Sequence, residues 1–165
     1  MLGDKIRKIL KTEQGMRIPP QTELFLFAAS RAQLVTEVIR PALTEGKVVI
    51  CDRFVHSTVA YQSYGRGLPQ DVVEQINRQA TQNLEPDLTI FLDMPSEQGL
   101  ARKKQNPKDR FEKEDLSFHR RVRKGYLEMA EADPSRWLVV AAAGLSEERV
   151  FAVIGEKIDS LLCPV

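Results

Sequence analysis

An α/β domain, a parallel sheet with helices on both faces, is predicted by three short apolar runs that alternate with stretches of helical periodicity. The runs are Val48-Val49-Ile50, Leu88-Thr89-Ile90-Phe91-Leu92 and Trp137-Leu138-Val139-Val140-Ala141-Ala142. Each is short and rich in β-branched or aromatic residues, and parallel neighbours need a crossover long enough to hold a helix. The first two runs also end abruptly at aspartates, Asp52 just past Cys51 and Asp93. In open parallel sheets ligands bind beyond the carboxyl ends of the strands, so these stops place polar chemistry where a crevice forms. The length of 165 residues, 42% of them apolar, suits one domain, 1–165, with its own core.

Leu2, Ile6, Ile9 and Leu10 share one face of an opening amphipathic helix. Gly15 and the Pro19-Pro20 pair mark a loop after it. From Thr22, apolar residues recur at three- and four-residue spacing (Leu24, Phe27, Ala28, Leu34, Val35, Val38) as far as Pro41 and Gly46, and Arg31 sits on the same stripe. Phe25 and Phe27 point apart on that helix, so only one of them faces a given pocket. A strand at Val48–Ile50 follows, with its polar tail. Pro69-Gln70-Asp71 starts the next helix, Val72, Val73, Ile76 and Ala80 inward, and Leu88–Leu92 forms the second strand. A turn at Met94-Pro95-Ser96, with Ser96 as N-cap and Glu97 in the first turn, opens a further helix.

That helix runs into Arg102–Arg110, where six of nine residues are charged and five are cationic, so a mobile basic lid is expected at about 102–112. Asp115–Ala132 is helical, with Phe118, Val122, Tyr126 and Met129 as its stripe. The third strand and a last helix from Ser146, with Val150, Val153, Ile154, Ile158 and Leu161 inward, complete the chain.

A net charge of +1 indicates no general attraction to nucleic acid, and no apolar run reaches membrane-spanning length. Cys51 and Cys163 lack metal-ligand or C-x-x-C spacing, which fits a reducing, cytoplasmic setting.

The candidate chemistry lies at Asp52–Gln62. A carboxylate at a strand end, Asp52, suits Mg²⁺ and its waters, and Arg53 can hold a phosphate through two parallel hydrogen bonds; a turn salt bridge between the two is the alternative. The cationic lid could deliver charge to a transferring phosphoryl group, or be a solvated loop. Phe27 and Arg31, one helical turn apart, could stack a base and bond its carbonyl edge, or be a core phenylalanine with an arginine at the rim. Ser57, Thr58, Tyr61 and Gln62 supply the neutral donors, acceptors and sugar-packing ring of a nucleoside pocket. Together they point to a nucleoside monophosphate as acceptor.

Four stretches carry a family resemblance: LFAASRAQ at Leu26–Gln33, DRFVHSTVAYQ at Asp52–Gln62 with Gly65-Arg66-Gly67, PDLTIFLD at Pro86–Asp93, and DRFEKEDLSFHRRVRKGY at Asp109–Tyr126. In order and spacing they resemble the bacterial thymidylate kinases, P-loop enzymes of the nucleoside monophosphate kinase fold that move a phosphate from ATP to dTMP and so supply dTDP for dTTP synthesis. The resemblance implies that Phe27 stacks on thymine, Arg31 bonds its O4, Arg53 grips the dTMP phosphate and Asp52 lies near Mg²⁺. Thr58 and Gln62 would line the base, and Tyr61 would pack under the sugar and disfavour a 2′-hydroxyl. Lid cations, Arg102, Lys103, Lys104 or Arg110, would reach the ATP phosphates, and the loop holding Ala142 and Gly144 would lie near adenine. The family usually has an aspartate where this chain has Ala141. Relatives are usually homodimers packed through helices, and the apolar helix Leu24–Val38 has surface for that.

The family's G-x-x-x-x-G-K-[ST] loop does not occur in the 165 residues. That loop's amides, lysine and hydroxyl hold ATP, so the expectation is an N-terminally truncated sheet and impaired transfer, from a shortened gene product or a start assigned too late. A silent fragment that at most binds dTMP, and another nucleoside monophosphate kinase, are the alternative readings.

Overall fold

The computed structural model describes residues 2–12, 17–102 and 110–162. Eight α-helices are described: α1 (Leu2–Thr12), α2 (Pro20–Leu34), α3 (Arg40–Thr44), α4 (Val55–Thr58), α5 (Gln70–Thr81), α6 (Ser96–Arg102), α7 (Leu116–Ala132) and α8 (Glu147–Leu162). Two strands, β1 (Thr89–Asp93) and β2 (Trp137–Ala141), pair in parallel, with Thr89 opposite Trp137 and Asp93 opposite Ala141. Helices α6 and α7 make the crossover between them, as a parallel pair requires. None of the described helices is long and apolar enough to cross a membrane.

The strand expected over Val48–Ile50 does not form among the described residues. Val48 and Ile50 are 66% and 90% exposed, and the sheet contains only β1 and β2. A β-branched run becomes a strand where a neighbour offers backbone partners and a surface to pack on, and neither is present at this segment. Cys51 therefore also lies outside a strand. The two-stranded sheet leaves Leu92 and Val139 about half exposed. On α8, Val150, Val153, Ile154 and Ile158 are half-buried, but Leu161, expected inward, is exposed.

Two helical stretches widen into π geometry. Val35–Ile39 joins α2 to α3, and the Arg40 N–H reaches back five residues to the Val35 carbonyl. Pro41 follows, with no N–H and a ring that crowds the carbonyl four residues back in an ordinary helix, and the wide turn gives it room. The second stretch, Val59–Gly65, continues α4 and packs along α7. Its contact with α7 is close because glycines face it from both sides. A β-carbon on Gly65 would lie 2.6 Å from the Phe118 ring, and one on Gly125 would lie 2.6 Å from the Tyr64 ring.

The core has two parts. Ala60, Phe111, Phe118 and Val122 pack with Phe27, Tyr61, Tyr126 and Met129, and Leu24, Val59 and Val73 pack with Tyr64, Leu68, Ile76 and Met129. The first part forms the inner wall of the site.

His56 ties α4 to the sheet. Its Nδ1 and the Thr89 hydroxyl are 3.1 Å apart, and its ring lies 4.7 Å from that of Trp137. Burial holds its pKa below the ordinary value near 6.5; Glu85 and Asp133 push it up, Arg136 and Arg31 down. The folded chain therefore keeps His56 neutral where the unfolded chain binds a proton, so stability falls as pH drops below about 6.5. The denaturation midpoint is expected to fall between about pH 7.5 and about pH 5.5, and His56→Asn to flatten that slope. An unchanged slope in the variant would show that His56 is not the group responsible.

Candidate active site

A cavity of about 1030 Å³ opens between α2, the segment Asp52–Gln62, the carboxyl end of β1 and helix α7. Ten of the residues singled out above line it: Phe27, Arg31, Asp52, Arg53, Ser57, Thr58, Tyr61, Gln62, Arg102 and Ala142. Arg110 and Gly144 do not. Gly144 has φ of 80° in the turn after β2, and Arg110 is turned onto Glu23. Lys103, Lys104 and the rest of the lid to Asp109 lie outside the described residues.

Helix α2 presents Phe27 and Arg31 to the same side. Phe27 is half-buried, its ring 5.9 Å from that of Phe111 and tilted by 41°. Phe25, two residues earlier, is 51% exposed on the outer face of α2. Arg31 is buried and donates to Asn77 Oδ1 at 2.8 Å, to the Phe54 carbonyl at 3.2 Å and to the Thr58 hydroxyl at 2.5 Å. All three partners are neutral, and a guanidinium carries five N–H groups, so its positive charge and two donors are uncommitted. Burial lowers its pKa to about 10, which keeps it charged at neutral pH. Thr58, already accepting from Arg31, has its own hydroxyl proton left to donate.

Asp52 and Arg53 stand exposed at the mouth. Arg53 has φ of 65°, a left-handed conformation that side-chain-bearing residues rarely adopt. The turn aims its guanidinium over the Tyr61 ring, 5.1 Å from the ring centre. No carboxylate is paired with Arg53 by an ion pair among the described residues. Strain of this kind concentrates at functional sites, where surrounding structure holds it.

The opposite wall comes from α7. Tyr126 OH and Ser57 Oγ are 2.6 Å apart, and the Tyr126 ring stacks on Phe91 of β1 at 4.8 Å. Burial pushes the Tyr126 hydroxyl up to about 12, so it keeps its proton and can act as a donor. At the end of β1, Arg123 donates to both Asp93 oxygens, at 2.6 and 2.8 Å, and holds that carboxyl below the usual carboxylate range. That pairing neutralises both groups. Among the described residues, the cavity-lining cations without an ion pair are thus Arg31 deep inside and Arg53 at the mouth, with Arg7 and Arg102 also in the lining.

Such a cavity suits a flat ring between aromatic side chains and a dianion at its mouth. Comparisons with known proteins show the family. The thymidylate kinase family model matches residues 1–160. The chain is 49% identical over 160 residues to the thymidylate kinase of Dehalococcoides mccartyi strain 195, covering 97% of this chain and 77% of that protein. It is 42% identical over 171 residues to that of Trichlorobacter lovleyi, covering 99% and 81%. The chain belongs to the thymidylate kinase family. The crystal structure of thymidylate kinase from Ehrlichia chaffeensis matches with a TM-score of 0.71 at 30% identity, over 97% of this chain and 73% of that one. The family is one of transferases.

Several residues of this site lay outside the sequence reading. Phe111 falls within the expected lid and Tyr126 on a core stripe, and the Asn77 bond to Arg31 bridges 46 residues. Glu23, fully buried beneath Gln62, had no local signal beyond an acidic residue near a helix start.

Proposed function

We infer that this thymidylate kinase relative takes dTMP as acceptor and ATP as donor, giving dTDP. The observation that supports this most strongly is the convergence of Phe27, Arg31 and Gln62 with Arg53 on one cavity: a stacking ring and edge-reading groups inside, an unpaired guanidinium at the mouth. Arg53 would hold the dTMP phosphate, Thr58 and Ser57 the nucleoside, and Tyr61 the sugar face. For the ATP side, Arg102 has the support of its place in the cavity lining, as does Ala142. Lys103 and Gly144 rest on the resemblance alone, and Arg110 could reach the phosphates only by leaving Glu23.

Among the described residues no three His, Cys, Asp or Glu side chains are grouped to cage a metal. Asp52 offers one exposed carboxylate, which fits Mg²⁺, an ion that keeps waters and takes most of its other ligands from substrate phosphates. Bound there through water, it would offset charge building on the transferred group. The protein's own part is to orient dTMP, align its phosphate through Arg53 and present Arg102 to the donor.

A second reading has a specific feature behind it: with no G-x-x-x-x-G-K-[ST] loop in the sequence, the 165 residues alone bind dTMP and transfer slowly or not at all. Titration calorimetry with dTMP and a coupled ADP-release assay with dTMP and ATP distinguish the two. Saturable binding with turnover supports the enzyme, binding without turnover the second reading, and no binding of dTMP overturns both. Pairing of two copies through α2 belongs to this proposal, supported by the shallow apolar surface around Phe25, Ala29, Ala32 and Ile76, and sedimentation velocity reads it out. A cytoplasmic setting follows from the same proposal.

A further inference from the structure

Glu23 is a fully buried carboxylate that the site as described does not use. Its Oε1 accepts from Gln62 Nε2 at 2.8 Å and from Arg66 Nε at 3.3 Å. Its Oε2 accepts from Arg66 Nη2 at 3.4 Å and from Arg110 Nη2. Arg66 also pairs with Glu114 at 2.7 Å, so two arginines face two carboxylates and the cluster is neutral. Arg66 and Arg110 in turn cover the Phe118 and Phe111 rings, at 4.8 and 5.0 Å. Glu23 is therefore held on all sides and cannot turn away from Gln62.

An ionised carboxylate only accepts hydrogen bonds, whereas an amide has one end that donates and one that accepts. Glu23 consequently fixes which way round the Gln62 side chain sits. Its NH₂ is committed to Glu23, and its Oε1, which accepts nothing from the described residues, is left for whatever fills the cavity that Gln62 lines. Arg31, on the same cavity, offers only donors. A ligand edge that satisfies both carries a carbonyl oxygen beside a ring N–H. A 4-oxo pyrimidine has that edge, and a 4-amino pyrimidine has the reverse, a donor beside an unprotonated ring nitrogen.

We propose that Glu23 is a positioning residue for specificity, locking the Gln62 amide so that the site accepts 4-oxo pyrimidine nucleotides and rejects 4-amino ones. This rests on the function reading above and adds the device that sets base choice. A mismatched edge leaves buried polar groups unpaired at two points, and such sites discriminate strongly. Changing Glu23 to Gln keeps the shape but provides a partner for either amide orientation, so Gln62 becomes free to flip.

The test compares dTMP and dCMP affinities, by calorimetry, for the full chain, Glu23→Gln, Gln62→Ala and the double variant. The ratio favouring dTMP is expected to fall by about tenfold or more in Glu23→Gln, and Glu23→Gln should have no further effect on it in the Gln62→Ala background. A purely structural role would weaken both nucleotides alike and leave the ratio intact, which overturns the proposal, as does an undiminished effect in the Gln62→Ala background. A wild-type chain that binds neither nucleotide overturns the function reading and this one with it. Were Glu23→Gln to unfold, ¹⁵N-glutamine spectra of the unmodified chain decide: the Gln62 NH₂ should be protected from exchange without ligand and scarcely shift on adding dTMP. A fast-exchanging NH₂, or a large shift, overturns the proposal.

Discussion

Replacing Arg53 by alanine is expected to weaken dTMP binding by roughly a hundredfold while leaving thymidine, which has no phosphate, bound as before. Two charge-assisted hydrogen bonds to a phosphate contribute about 3 kcal/mol together once desolvation is counted, and each 1.4 kcal/mol is about tenfold in affinity. The contrast between nucleotide and nucleoside isolates the phosphate, because on the proposed reading Phe27, Arg31 and Gln62 would meet both ligands equally. Arg53 also occupies a left-handed backbone position, which adds a second comparison. Alanine is strained there and glycine is not, by about 1 kcal/mol. Arg53→Gly should therefore unfold at higher denaturant than Arg53→Ala and yet bind dTMP equally poorly. Calorimetry that shows unchanged dTMP affinity in either variant would remove Arg53 from the acceptor site.

The glycines at the contact between Val59–Gly65 and α7 carry the second large expectation. Gly65→Ala and Gly125→Ala should each destabilise the fold by about 2 kcal/mol, the range for forcing a methyl into filled space. At an open helical site the same change would stabilise by up to about 1 kcal/mol, so the sign alone is diagnostic. The clash at Gly65 is with the Phe118 ring and that at Gly125 with the Tyr64 ring, both packed in the core and poorly able to yield. Separating these elements also pulls Tyr126 from Ser57, so affinity for dTMP should fall together with the denaturation midpoint. A neutral or stabilising alanine at Gly125 would mean the two elements are not in the close contact described.

Much of the candidate site is legible in the sequence because its pieces are local. Asp52-Arg53 announces itself by interrupting an apolar run, and Phe27 with Arg31 by helical spacing. Helix α7 was foreseen to within its cap, since Asp115 bonds the Phe118 amide at 2.7 Å as a helix-starting aspartate does. What escaped is what depends on distant partners. Glu23 meets Gln62, Arg66 and Arg110 across 39, 43 and 87 residues, and nothing in its neighbourhood distinguishes it from an ordinary first-turn acid. Val48–Ile50 failed in the opposite sense: its composition suits a strand, but strand formation depends on a neighbour that composition does not specify.

The wide helical turn at Val59–Gly65 has a bearing on how this chain can vary. There the Arg66 amide bonds the Tyr61 carbonyl, five residues back, at 3.0 Å. A turn holding more residues rotates less at each step, so consecutive side chains diverge less than in an ordinary helix, and Tyr61 and Gln62 can both look into one cavity. Removing a single residue from this segment would restore a regular hydrogen-bond ladder and a better helix, and would swing those two side chains apart. Substitutions away from Tyr61 and Gln62 would cost what their packing costs, whereas a deletion anywhere in the stretch would move both of those side chains, so the count of residues here is constrained as well as their identity.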